Sequence, residues 1–219
     1  MTTLSDIPRI RRVPQQARSR ERLQRVLDAA DRVVAEEGAE ALTTTRVAEA
    51  AGVSVGSIYQ YLPDKAAIVE ALAKRHLDDF TELMQRFVAE ARSHPERLDD
   101  PVGAMVDTFA QRYREQPGYR ALWFGRELTE ELRAADRVQK EQLASALRRV
   151  LNALGLVRDG ARLAVQTRAG VLVADALLQA AFRADERGDR KLIEEAKRIL
   201  RLYLADVARE HAERRRELS

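Results

Sequence analysis

The residues best equipped for chemistry lie between Ser54 and Lys65, where the chain reads SVGSIYQYLPDK. Removing the positions with helix-core spacing leaves Ser54, Val55, Gly56, Ser57, Tyr59, Gln60, Tyr61 and Lys65, none of them acidic. Hydroxyls, an amide, phenols and an ammonium group make hydrogen bonds rather than break covalent ones, and they match what a nucleic acid offers. Serine reaches base edges or phosphate, glutamine pairs with an adenine edge, and tyrosine hydroxyl and lysine ammonium bond phosphate oxygens. Gly56 stands near a helix start, where it costs on the order of 1 kcal/mol of helix propensity relative to alanine. A backbone that must come close to another molecule would account for that cost. The bland alternative is an ordinary helical corner with a wet polar face.

Two short helices and a tight turn must hold these groups. Thr43, Thr44 and Thr45 offer capping hydroxyls for the first helix, and Val47, Ala48 and Ala51 give its apolar side. Gly52 follows, where a backbone leaving a helix through positive φ favours glycine. Val53 plugs the corner, and Ser54 caps a second helix expected to carry Val55, Ile58 and Leu62 until Pro63 and Asp64 stop it. The pattern is a helix-turn-helix. A preceding helix starts near Gln16, with Leu23, Val26, Leu27, Ala30, Val33 and Val34 along one face, and ends at Gly38.

The run AGVSVGSIYQYLPDK resembles the recognition region of TetR-type transcriptional regulators, whose signature reads AGVS-x-G-(S/T)-(L/I)-Y-x-(Y/H)-(F/L)-x-x-K. At the level of motif the resemblance covers about Ser19 to Leu72. It implies base-edge or groove contacts from Ser54, Val55, Ser57 and Gln60, and phosphate contacts from Thr44 or Thr45, Tyr59, Tyr61 and Lys65. Leu62 stands where many relatives have phenylalanine, a departure that bears on the packing of the corner.

Composition narrows the alternatives. At 219 residues the chain is too long for one helix-turn-helix unit of about 50 residues, so a second domain is expected. There is no cysteine, and the three histidines, His76, His94 and His211, are far apart, so neither a metal site nor a cofactor is expected. No apolar run approaches the ~18 residues needed to span a bilayer, no secretory signal opens the chain, and a cytoplasmic location is expected. The net charge of +3 is unevenly placed. Residues 1–25 hold seven arginines (Arg9, Arg11, Arg12, Arg18, Arg20, Arg22, Arg25) against Asp6 and Glu21, a balance of +5, which leaves −2 for the remainder. Such an arm can lie along phosphates or enter a minor groove, or simply be a solubilising tail.

Beyond Lys65 the apolar positions Ile68, Val69, Leu72, Leu77, Phe80, Leu83, Met84, Phe87 and Val88 predict one unbroken helix to about Arg92. Val102, Met105, Val106, Phe109 and Tyr113 predict another, broken by Gln116-Pro117-Gly118. A short segment with Tyr119, Leu122, Trp123 and Phe124 closes at Gly125, and a long charged helix runs from near Leu128 to Gly155. The aromatics gathered between residues 87 and 124 suggest a cavity for an apolar small molecule, with Phe87, Met105, Phe109, Trp123, Phe124 and Leu147 as its walls, or else they are the plain core that any helix bundle requires. The segment from Ala161 to Phe182 is rich in small residues, and Ile193, Ala196, Leu200, Tyr203 and Val207 alternate at three and four along the last helix. The resemblance implies that these two helices pair with their copies in a homodimer, through Leu177, Ile193, Ala196, Leu200, Tyr203 and Val207; a purely intramolecular role for these stripes is the alternative. Residues 209–217 mix charges and read as a solvated, fraying end.

The expected fold is all-α, with about nine helices: a flexible basic arm over 1–15, a three-helix helix-turn-helix domain over 16–65, and a helical ligand-binding and dimerisation domain over 66–219. The leading expectation is a homodimeric repressor, released from a palindromic operator in double-stranded DNA by a small-molecule effector. An enzyme is not expected, because no activated nucleophile, phosphate loop or metal spacing is present. A helical adaptor whose helix-turn-helix no longer binds DNA is the other alternative.

Overall fold

The computed structural model describes residues 17–94, 99–124, 130–157 and 160–217, and among them it contains only helices and connecting turns. The helices are α1 (Ala17–Glu37), α2 (Thr44–Ala51), α3 (Val55–Tyr59), α4 (Lys65–Ser93), α5 (Pro101–Glu115), α6 (Pro117–Phe124), α7 (Glu130–Ala153), α8 (Ala161–Ala184) and α9 (Arg190–Glu217), with a 3₁₀ turn at Ala39–Ala41. The expected arm with Arg9, Arg11 and Arg12, the expected stop at Gly125 and the expected start of the next helix near Leu128 lie outside the described residues.

The chain divides into two compact units. The first comprises residues up to Phe80 together with Gln116–Ala134, and the second comprises Thr81–Glu115 and Ala135 onward. The first unit therefore takes in more than the stretch expected to end at residue 65. Its core explains why: Leu23, Val26, Leu27, Ala30, Val33 and Val34 of α1 are buried, as are Ile68, Val69 and Leu72 of α4 and Leu122 and Trp123 of α6. An eight-residue helix and a five-residue helix cannot enclose a core alone, so α4 and α6 supply the missing walls.

Helix α6 seats on α1 at close range. A Cβ at Gly118 would come within 1.9 Å of Asp31 Oδ1 and 2.9 Å of the Asp31 carbonyl oxygen, so only glycine permits this approach. The same aspartate receives α4: His76 Nε2 lies 3.0 Å from Asp31 Oδ1, and Arg75 contacts Asp31 at 3.4 Å and Asp28 at 2.6 Å. His76 is buried and packs edge-on to Tyr119 and Trp123, with ring centroids 5.5 and 6.4 Å away. Gln116-Pro117-Gly118 was expected to break the chain, and only Gln116 does so. Pro117 opens α6, the helical position where a missing N–H costs nothing.

In the second unit α9 packs on α5 and α8. Asp100 caps α5 by accepting from the Gly103 amide at 2.9 Å and also accepts from Arg201 of α9, while Lys197 of α9 reaches Asp107 of α5 at 2.7 Å. Tyr113 of α5 stacks on Phe182 of α8 with centroids 5.1 Å apart. Leu151, Val157, Leu163 and Val207 form one buried cluster, with Leu147 and Leu204 packed against it. The stretch 209–217, expected to fray, is regular helix. Helix α9 continues to Glu217, tied to α8 by the Arg162–Glu210 ion pair and by Gln166, which donates to Glu210 at 3.0 Å.

Candidate nucleic-acid interface

Thr43 caps α2, its hydroxyl accepting from the Arg46 amide at 3.1 Å. At the other end Gly52 adopts φ 65° and ψ 36°, and the amides of Gly52 and Val53 donate to Glu49 and Ala48. This pair of bonds is the Schellman closure, which stops α2 and turns the chain. Ser54 then caps α3, accepting from the Ser57 amide at 3.2 Å. The second helix is shorter than expected and ends at Tyr59. Both the Tyr61 and Leu62 amides donate to the Ile58 carbonyl, at 2.9 and 2.8 Å, so the chain folds inward instead of continuing to Leu62. Leu62 is fully buried, and Asp64, read only as part of a stop, caps α4 by accepting from the Ala67 amide at 2.8 Å.

The arrangement exposes Thr45, Ser54, Gly56, Tyr59 and Gln60, and half-buries Thr44, Val55, Ser57 and Lys65. Thr44 Oγ1 and Tyr59 Oη stand 3.4 Å apart, which brings two hydroxyls from different helices to one spot. Ser54 Oγ and Ser57 Oγ lie 2.8 Å apart, so these two serines already serve each other and the helix cap. Lys65 Nζ donates to the Glu40 carbonyl at 3.4 Å. Tyr61 departs from expectation: it is 7% exposed and belongs to the core side of the corner, not to the polar face. Gly56 has no positive φ, and a Cβ there would meet only Ser54 Oγ at 4.0 Å. Nothing among the described residues requires a glycine at that position.

The six expected pocket walls do not fall in one unit. Phe87, Met105, Phe109 and Leu147 belong to the second unit, whereas Trp123 and Phe124 belong to the first. Trp123 is buried beside His76 and Tyr119, and Leu147 packs on the cluster that contains Val207. Both are therefore core contacts of their own units.

The expected dimer seam is corrected in the same way. Ile193, Ala196, Leu200 and Val207 are buried within the single chain, at 3%, 0%, 8% and 3% exposure, because that stripe of α9 faces its own neighbours. Leu177 is half-buried, and Tyr203 alone of the six is exposed. A second stripe faces outward: Val165, Leu172 and Val173 on α8, and Ile199, Leu202 and Tyr203 on α9. Tyr203 lies over Gly170, its ring 3.9 Å from where a Cβ would stand, so the two helices meet along this face. The spacing Val165, Ala169, Leu172, Val173, Ala176 was legible in the sequence as a continuous apolar stripe. Among the described residues no helix is long and apolar enough to cross a membrane, and no group of three or more His, Asp or Glu side chains is placed to hold a metal ion.

A chain that is all helical among its described residues, and that carries a helix-turn-helix braced by α1, α4 and α6 together with a second helical unit, has the organisation of a DNA-binding transcription regulator. The family described as tetracyclin repressor-like, C-terminal domain, matches residues 96–208, and the N-terminal family of bacterial regulatory proteins of the tetR type matches residues 26–72. The chain belongs to the TetR family of transcriptional regulators. It is similar to a TetR-family regulator from Streptomyces coelicolor, with 31% identity and a TM-score of 0.58 over 85% of this chain and 99% of that one. It shares its fold with the regulator FadR from Bacillus subtilis in complex with stearoyl-CoA, at 19% identity and a TM-score of 0.64 over 83% of this chain and 97% of that one. It is also similar to the nucleoid occlusion factor SlmA of Glaesserella parasuis, 31% identical over 110 residues, 50% of this chain and 52% of that protein. The chain thus spans about half the length of the curated relatives it matches.

Proposed function

We propose that the protein is a homodimeric repressor that binds a palindromic operator through α2 and α3 and leaves it when a small, mostly apolar ligand binds the helical second unit. The observation that carries this reading is the exposed polar face of the helix-turn-helix, where Thr45, Ser54, Gly56, Tyr59 and Gln60 are presented without an intramolecular need for Gly56. Val55, Ser57 and Gln60 are assigned to base edges, and Thr44, Tyr59 and Lys65 to phosphate. Ser54, tied into the cap, orients α3 and reaches the groove only through its remaining lone pair or proton.

Dimerisation follows from the reach of so short a helix. One five-residue α3 meets few base pairs, whereas two held about one helical turn apart, ~34–36 Å, read a palindrome. The outward stripe of α8 and α9 is the surface assigned to that pairing, since exposed apolar side chains in a continuous patch mark an interface. Support for an apolar effector comes from the fold neighbour that holds stearoyl-CoA and from the half-buried Phe87, Met105 and Phe109 of the second unit.

The test is a selection of genomic fragments with purified protein, followed by footprinting. A two-fold symmetric footprint supports the reading, and the absence of any selected sequence overturns it. Ligands found by thermal shift should then weaken operator binding. DNA must weaken the ligand by the same factor, typically 5 to 150-fold, because the coupling is reciprocal.

A further inference from the structure

We infer that α1 carries a second DNA-contacting surface, a stripe formed by Arg18, Arg22 and Arg25 that grips the phosphate backbone beside the site assigned to α3. At 100° per residue these three and Arg32 fall within an arc of about 80° on α1, along one edge of its buried face. Arg18 and Arg25 are exposed and Arg22 is half-exposed. No ion pair joins any of the three to a carboxylate among the described residues. The contrast lies further along the chain, where Arg46, Arg75, Arg162, Arg168, Arg198 and Arg201 each hold an acidic partner.

Two contacts orient the stripe. Arg46 of α2 binds Glu37 near the end of α1, and Arg32 donates to the carbonyl of Ala50 at the end of α2, at 3.3 Å. Helix α2 therefore runs back along α1 from Glu37 towards Arg32, and the turn into α3 begins at the level of Arg32. Arg25, Arg22 and Arg18 continue the same edge beyond that turn for ~21 Å, the rise of about six phosphates on one strand. Local physics opposes the placement. Arginines in the first turns of a helix face the positive end of its dipole, and Arg18 and Arg22 are like charges at i, i+4. A polyanion lying against the edge attracts both the arginines and the positive end of the helix, and so offsets both terms.

This inference rests on the DNA-binding reading and is tested separately from it. Full-length protein is titrated with a mixed-sequence duplex of about 30 base pairs over a range of salt concentrations, which requires no knowledge of the operator. Arg18→Ala, Arg22→Ala and Arg25→Ala are compared with Arg20→Ala, an exposed arginine about 160° around α1 from Arg22. Each stripe variant should lower the slope of log affinity against log salt by about 0.9 per subunit, and the triple variant by about three times as much, with Arg20→Ala unchanged. Arg25→Lys should restore the slope, because the charge and not the packing is at issue, and the melting temperatures of the alanine variants should not fall. Equal slopes for stripe and control variants overturn the inference while the DNA-binding reading stands. A native protein that binds no duplex at low salt overturns both.

Discussion

At the scale of single residues, Gly56 separates a structural demand from a functional one. The position is exposed, has no positive φ and has room for a methyl group. Gly56→Ala should therefore raise stability by up to about 1 kcal/mol through helix propensity. It should also weaken operator binding by roughly tenfold, about 1.4 kcal/mol, because the methyl group stands between backbone and groove. Denaturant melts and a binding titration on the same samples check this, and unchanged DNA affinity would remove Gly56 from the contact surface. Lys65 and Gln60 differ in what they can recognise. The Lys65 ammonium donates to the Glu40 carbonyl at the edge of the polar face and is assigned to phosphate, so Lys65→Ala should weaken all sequences alike and flatten the salt dependence by about one ion per subunit. Gln60→Ala should instead change which sequences are preferred. Specificity profiling that returned the opposite pattern would reverse the two assignments.

At the scale of elements, the joint at Asp31 decides how the recognition unit is braced. Three helices converge on this aspartate: α1 bears it, α4 reaches it through Arg75 and His76, and α6 rests its Gly118 backbone on it. Gly118→Ala places a methyl group against the Asp31 carboxylate and, 2.9 Å away, against its backbone oxygen, which has little freedom to move. The expected cost is about 1–3 kcal/mol of stability, typical of overpacking. Equilibrium unfolding in urea measures it, and a midpoint equal to that of the native protein would show that α6 is not seated as described. The bond from Arg201 to Asp100 sits at the α5–α9 contact and holds the Asp100 carboxyl below the ordinary carboxylate range, against the opposing effect of partial burial. A depressed folded value contributes stability above the unfolded value of about 3.9, and that contribution is lost as the pH falls below it. Both side chains are more than a third exposed, so the effect should stay below about 1 kcal/mol. Melting curves of the native protein and Arg201→Gln should converge as the pH falls below about 4 if the pair acts this way.

For the whole molecule, the inward apolar stripe of α9 and the outward one shared by α8 and α9 have opposite consequences. Ile193 is buried inside the chain, so Ile193→Ala should cost about 2–5 kcal/mol of stability whatever the state of association. Leu172 is 47% exposed on the outward face, and Leu172→Asp should leave the fold intact but yield monomers with weak operator binding. Light scattering at micromolar concentration with parallel thermal melts separates the two. A Leu172→Asp protein that remains dimeric would move the interface elsewhere.

What the sequence alone determined was local. The cap at Ser54, the left-handed turn at Gly52, the buried face of α1 and the unbroken run of α4 follow from nearest-neighbour rules of spacing, capping and backbone freedom, and these are written into consecutive residues. The early end of α3 and the burial of Tyr61 were not legible, because they depend on how tightly the chain turns inward after Ile58. Nor could periodicity say which stripe of α9 meets its own chain. Ile193, Ala196, Leu200 and Val207 and the outward Ile199, Leu202 and Tyr203 are both helical-face patterns, and only the packing of α5 and α8 consumed the first and left the second. Trp123 shows the same limit. Its aromatic ring suits a ligand wall or a core, and the glycine-to-carboxylate fit of α6 on α1, a contact between residues 87 positions apart, is what sets it beside His76 in the first unit.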